Sequence, residues 1–194
     1  ELTLDEIRKI CETGMETEVF VHGAQCMCLS GQCYMSAVIG SRSANRGQCA
    51  QACRLPFSAV GKPAEEYALS LKDMSLVRHV DELCDIGCAS FKIEGRMKRP
   101  EYVAAAVTAL RDAVDGTGDT DADMKRLEAV FSRSGFTDGY LMNRRGADMF
   151  GYRRKEDVVS ADGVLSERAA LYAKEKKTSA ADFVFTARRN EPSV

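Results

Sequence analysis

Between Ala24 and Arg54 the chain places Cys26, Cys28, Cys33, Cys49 and Cys53, five of its eight cysteines, in one segment. Thiols so crowded have four uses: a disulfide framework, a zinc site, an iron-sulfur cluster or a catalytic nucleophile. Structural zinc sites announce themselves by two short Cys-x(2–4)-Cys knuckles, and only Cys49 and Cys53 have that spacing. An iron-sulfur cluster instead accepts thiolates from irregular, glycine-rich loops and needs an apolar shell around its sulfide. Gly31, Gly40 and Gly47 permit the turns, and Tyr34, Met35, Val38 and Ile39 offer the shell. The cluster is the favoured reading, zinc the second, and inert burial of small thiols the bland alternative. Cys28 is the surplus thiol: alternation off the preceding strand points it the same way as Cys26, which is preferred as the ligand. Cys11 and Cys84 fall on apolar helix faces and Cys88 adjoins a strand, so these three are expected to be structural.

Fixed positive charge accompanies the thiols. Arg42, Asn45, Arg46 and Arg54 flank them, suited either to an anionic cofactor or to a phosphate backbone, with plain surface solvation as the competing use. Lys92, Glu94 and Arg96 alternate along and just beyond the strand ASFKIEG, on one face. They are expected to converge on an acidic cosubstrate, or else to form an ion-pair network. His22 ends a strand just before the cysteine segment, placed to hydrogen-bond a thiolate or move a proton, or simply to satisfy a turn. His79 is read as a surface residue, Lys98 and Arg99 as surface charges at a helix start, and Lys72 and Asp73 as following a strand at the same mouth.

The elements that must hold these groups follow from periodicity. Thr3 and Glu6 form a capping box for a helix carrying Leu4, Ile7, Ile10 and Cys11, stopped by Gly14. TEVFVHG, residues 17–23, reads as a strand that delivers the cysteine segment. EYALSL, residues 66–71, reads as a second strand, followed by helical spacing through Leu76, Val77, Val80, Leu83 and Cys84. ASFKIEG is the third, and Pro100 opens a helix with Val103, Val107, Leu110 and Val114 on one face. A polar connector, residues 115–123, leads to a helix through Met124, Leu127, Val130 and Phe131. A charged tail follows, with a helix expected near residues 166–176 and an apolar run at 182–187. Strands alternating with helices imply α/β architecture and a parallel sheet. Three units are too few to close an eight-stranded barrel, so the chain reads as a fragment cut at both ends.

With 194 residues, 45% of them hydrophobic, the chain can bury a substantial core. A formal charge of -2 excludes wholesale coating of a polyanion and leaves only local contact with RNA. Neither a bilayer-spanning apolar run nor a secretory leader is visible, so a cytoplasmic location without membrane association is expected. Reducing surroundings weigh against disulfides. Neither G-x-S-x-G nor H-E-x-x-H occurs, so a hydrolase would have to pair a cysteine with His22.

Three stretches, EVFVHGAQCMCLSGQCYMSAVIGSRSANRGQCAQACRLPF, SLKDMSLVRHVDELCDIGCASFKIEGRMKRPEYVAAAV and FSRSGFTDGYL, resemble the collagenase-like peptidase family U-32 from Leu2 onward and in the family's order. The resemblance implies a TIM-barrel-like catalytic domain whose later strands span residues 1–152, with the cysteine-rich loop at 24–54. It implies for residues 153–194 a linker and the start of a further domain. It implies a 4Fe-4S cluster on Cys26, Cys33, Cys49 and Cys53. The fourth position is where the pattern departs, because some members carry a cysteine soon after the Lys-Asp of SLKDM and Ser75 stands there. The implied activity is hydroxylation of a pyrimidine in ribosomal or transfer RNA, with prephenate as a cosubstrate in some members and Lys92 and Arg96 as its partners. Proteolysis of a peptide substrate, which the family name asserts, is the alternative, and an inactive barrel fragment the third.

Overall fold

The computed structural model describes residues 1–29, 31–57, 67–96 and 98–153. The helix and apolar run expected in the tail lie outside them. Helix α1 (Leu4–Cys11) begins where Thr3 Oγ1 accepts from the Glu6 amide and the Glu6 carboxylate accepts from the Thr3 amide, the reciprocal cap expected from sequence. Strand β1 (Glu18–Gly23) follows, then helix α2 (Met35–Gly40), strand β2 (Asp73–Ser75), helix α3 (Val80–Asp85), strand β3 (Ser90–Ile93), helices α4 (Pro100–Asp115) and α5 (Thr120–Val130), and strand β4 (Phe136–Thr137).

The strands form a mixed sheet in the order β3-β1-β2-β4. β1 runs parallel to β3 and β2 parallel to β4, but β1 and β2 are antiparallel, against the all-parallel expectation. A parallel return requires a crossover, normally a long helix. The segment joining β1 to β2 offers, among its described residues, only the six-residue α2 and two single 3₁₀ turns. The second strand also begins later than periodicity placed it. Residues 67–70 turn instead, because the Ser70 carbonyl takes the Gly151 amide and the Lys72 amide goes to the Met149 carbonyl.

Helices α3, α4 and α5 cover one face of the sheet, burying Val21, Val80, Leu83, Tyr102, Ala106 and Leu127 in a single cluster. The buried stripe of α4 runs Tyr102, Ala105, Ala106, Ala109, Leu110, whereas Val103, Val107 and Val114 stand exposed. The alanines win that face because small side chains let a neighbouring helix approach closely, a property that hydrophobicity alone undervalues. His79, expected at the surface, is instead held between Glu82 Oε1 at 3.1 Å and Asp138 Oδ2 at 2.9 Å, tying α3 to the turn after β4.

Candidate functional site

The cysteine segment leaves the sheet at Gly23, a position where any side chain is strained and crowded. Its φ is 142°, and a Cβ there would lie 2.6 Å from Glu94 Cβ on the neighbouring strand. The chain then folds back on itself through hydrogen bonds. Asn45 Nδ2 donates to the Gly31 carbonyl at 2.8 Å, and Ser36 Oγ accepts from the Ala50 amide at 3.0 Å. Arg54 closes the loop, donating to the Gln25 and Leu71 carbonyls, each at 2.6 Å, and to Ser70 Oγ at 3.2 Å. One guanidinium thereby ties the neighbour of Cys26, its own neighbour Cys53 and the approach to β2 into one unit.

Burial pushes the Cys26 thiol up, and the negative charges of Cys53 and Cys49 push it further, against the pull of Arg54. Cys26, Cys49 and Cys53 therefore share one electrostatic field. The Gln51 amide donates to Cys49 Sγ at 3.3 Å. Cys33 is half-buried and is not among the charges acting on Cys26; Cys28 is exposed. Among the described residues no group of three His, Cys, Asp or Glu side chains is drawn together tightly enough to hold a metal ion. Of the expected apolar shell, Tyr34, Val38 and Ile39 are exposed, because α2 is only six residues long and nothing described packs over it. Arg42 and Arg46 are exposed as well.

Beneath this loop lies a second polar group. Asp73, on β2, is fully buried, with Oδ1 accepting from Arg133 Nη1 at 2.5 Å and Oδ2 unpartnered. Lys98 Nζ sits over the Phe131 ring, 2.9 Å from its centroid, and over Tyr102 at 5.3 Å. Its pKa is pushed down to about 8, chiefly by burial, with Asp73 opposing and Arg133, Arg153 and Arg54 adding repulsion. The Tyr102 hydroxyl is buried without a hydrogen-bond partner, and its pKa is raised first by burial and then by Asp73 and Glu94.

His22 joins the same group by a register shift. β1 pairs Phe20 with Lys92 but His22 with Ile93, so a bulge re-aims the imidazole off the exposed face that Phe20 and Lys92 share. The ring is fully buried, 5.4 Å from Tyr102 and 5.3 Å from Phe136, with neither nitrogen hydrogen-bonded. Burial, and then the Lys98 charge, lower its pKa to about 4, so it is neutral at pH 7. It does not hydrogen-bond a thiolate, as its position beside the cysteine segment had promised.

The expected convergence of Lys92, Glu94 and Arg96 is not what the strand delivers. Lys92 Nζ pairs with Glu18 Oε1 at 2.8 Å, both side chains about half exposed, and lies 5.1 Å from the Phe20 ring. Alternation sends Lys92 and Glu94 away from the half-buried Phe91 and Ile93, to a face that nothing described covers, where the cross-strand carboxylate neutralises the lysine. Arg96 is exposed and its guanidinium rests about where a side chain on Gly47 would begin, 3.4 Å from that position. Lys98, read as a surface charge, takes the interior role. Arg133 and Tyr102 escaped the sequence reading: Arg133 stands among polar turn residues, and Tyr102 looks like ordinary packing on α4. Cys84 is exposed rather than on a buried helix face, while Cys11 and Cys88 lie sulfur to sulfur at 4.0 Å, and burial first, then Cys11, pushes the Cys88 thiol up to about 11. A thiol so hard to ionise is a poor nucleophile.

Comparison with known proteins gives these positions a context. The family model described as Peptidase family U32 matches residues 1–150. A protein named collagenase from Porphyromonas gingivalis is 36% identical over 171 residues, covering 75% of this chain and 41% of its own length. A 23S rRNA 5-hydroxycytidine synthase of Escherichia coli is 37% identical over 175 residues, covering 84% of this chain and 26% of its own. A tRNA hydroxylation protein P of Helicobacter pylori is 33% identical over 165 residues, covering 74% and 39%. The chain thus spans less than half the length of each of these relatives. No solved structure matches it.

Proposed function

The chain belongs to peptidase family U32, and from that premise we propose that it works in an RNA-modifying enzyme that hydroxylates a pyrimidine ring carbon of ribosomal or transfer RNA, with loop 24–54 carrying a 4Fe-4S cluster. The observation that carries the reading is Arg54 tying the residue before Cys26 to the turn that holds Cys53. Three thiols in one field, one of them already accepting an amide, match the soft-donor chemistry that iron and sulfide require. Cys26, Cys33, Cys49 and Cys53 would hold the cluster. When bound, such a cluster supplies one-electron transfer.

The remaining work falls to the chain's own side chains. Arg42 and Arg46, exposed beside the thiols, are free to meet phosphate oxygens, which fixes the strand's register without reading its sequence. Neutral His22 keeps a polar but uncharged group under the loop. Prephenate is the cosubstrate in this reading, and the location is cytoplasmic. Among the described residues no helix is long and apolar enough to cross a membrane. The sheet is proposed to belong to a TIM-barrel-like domain, supported by the parallel β1–β3 pair and its intervening helix α3.

Proteolysis is favoured by names, that of the family and that of the Porphyromonas relative. A cysteine nucleophile needs a histidine within hydrogen-bond reach. His22 contacts aromatic rings, and the His79 nitrogens are engaged by carboxylates. The test is mass spectrometry of ribosomal and transfer RNA from a strain lacking the gene, complemented with the full-length wild-type protein or with Cys26→Ala. Loss of a hydroxypyrimidine, restored by the wild type and not by the variant, supports the proposal; an unchanged set of modified nucleosides rejects it.

A further inference from the structure

Cys11 and Cys88 stand 77 positions apart in sequence, outside the cysteine-rich loop, and meet sulfur to sulfur at 4.0 Å. Cys11 is the last residue of α1, and Cys88 lies in the turn between α3 and β3. That turn is held on both sides. The Cys88 amide donates to the Leu83 carbonyl at 3.1 Å, and the Ala89 and Ser90 amides both donate to the Thr17 carbonyl just before β1. Gly87, at a φ of 87°, brings the turn against α1, since a Cβ there would lie 3.9 Å from Cys11 Cβ. Both thiols are half-buried at the margin of the core and so open to a small reagent, while the exposed Cys84 of α3 is close enough for its charge to act on Cys88. A disulfide needs its sulfurs about 2.0 Å apart, which two side chains already this close reach by a small rotation of each.

From this approach we propose that Cys11 and Cys88 form a reversible disulfide by exchange with a small-molecule disulfide, a redox modification site separate from the thiols of loop 24–54. Cys11 opens the exchange: its thiolate attacks one sulfur of the reagent, the reagent's S–S bond breaks, and the departing thiolate takes up the proton that Cys11 gave away. Cys88 is the wrong residue to open, because burial and then the Cys11 contact push its thiol up to about 11. Once Cys11 carries the mixed disulfide it has no charge, and its share of that shift is gone. Cys88 then loses its proton, attacks Cys11 Sγ and expels the second thiolate. Two protein thiols have lost two electrons and two protons, and the reagent has become two thiols. The new bond closes a covalent loop around residues 12–87, which include β1 and the whole cysteine-rich segment, and a closure of that length stabilises the fold by restricting the unfolded chain.

The test holds anaerobically purified full-length protein with glutathione disulfide, blocks the remaining thiols with iodoacetamide, and digests without reduction for mass spectrometry. A peptide pair joined through Cys11 and Cys88 is expected in most molecules, and dithiothreitol should return both residues to thiols. Cys88→Ala should trap glutathione on Cys11, Cys11→Ala should leave Cys88 mostly as the free thiol, and Cys84→Ser should leave the link unchanged. Circular dichroism checks that each variant is folded. The oxidised wild type should melt about 5 °C or more above the reduced protein, a gap that Cys84→Ser keeps and Cys88→Ala abolishes. A link from Cys84 to either partner, glutathione on Cys11 and on Cys88 with no link between them, or no reaction at either position would overturn the proposal.

Discussion

Arg54 Nη2 donates to the Gln25 carbonyl across 2.6 Å, so the residue after Cys53 holds in place the residue before Cys26, twenty-nine positions away in sequence. The same guanidinium also reaches Leu71 and Ser70. A flexible loop of this length would otherwise spread its thiols, since closing it costs conformational entropy that something must offset. Charge-assisted hydrogen bonds of this kind contribute roughly 1.5–3 kcal/mol each. Arg54→Gln is therefore expected to lower both the urea midpoint and the iron content of the full-length protein, and Arg54→Lys to recover only part of either.

Asp73 and Arg133 are the other buried pair. Removing one member leaves a charge without compensation, at a cost of about 3–5 kcal/mol. Asp73→Ala should thus destabilise the fold far more than Lys92→Ala, which breaks a half-exposed pair of a kind that contributes about 1 kcal/mol or less. Chemical denaturation of both variants decides it; equal losses would contradict the assignment of Asp73 to the interior.

His22 gives a pH signature. Its folded pKa is lowered to about 4 from 6.5, so the unfolded chain binds the proton more readily. The stability this contributes is fully present above about pH 6.5 and is lost as the pH falls from there through 4. The shift corresponds to roughly 3 kcal/mol at most. Denaturant midpoints of wild type and His22→Phe, compared at pH 7 and pH 4.5, should show the wild type losing ground to the variant as the pH falls; a constant difference would show that His22 is not buried neutral.

Gly23 tests the close approach of β1 to β3. Gly23→Ala places a methyl 2.6 Å from Glu94 Cβ at a φ of 142° that alanine avoids, and more than about 1 kcal/mol should be lost. An unaffected melting temperature would mean that the two strands part there.

Much of this was legible in the residues, and the failures share a cause. The Thr3 capping box, β1 and β3 are local signals, and they placed their elements correctly. What the sequence concealed depends on contacts far along the chain. β2 shifted from 66–71 to Asp73–Ser75 because residues 149–151 capture Ser70 and Lys72. His22 turned inward because of a bulge set by pairing with β3, and Lys98 folded in over Phe131, an attraction invisible in the run of charges around it. Arg133 entered the site only through Asp73, sixty residues away. The thiols were the easiest part to find, since density needs no partner to be seen, but the tie between the two ends of their loop is made by Arg54, whose importance lies in carbonyls at Gln25 and Leu71.

The central claim is that the thiols of loop 24–54 hold iron and sulfide. Full-length protein purified without oxygen should be brown, absorb near the visible range typical of iron-sulfur centres, and contain iron and acid-labile sulfide in equal amounts, and Cys26→Ala, Cys49→Ala and Cys53→Ala should each lose most of both. Stoichiometric zinc without sulfide, or a metal content that none of these three substitutions changes, would contradict it.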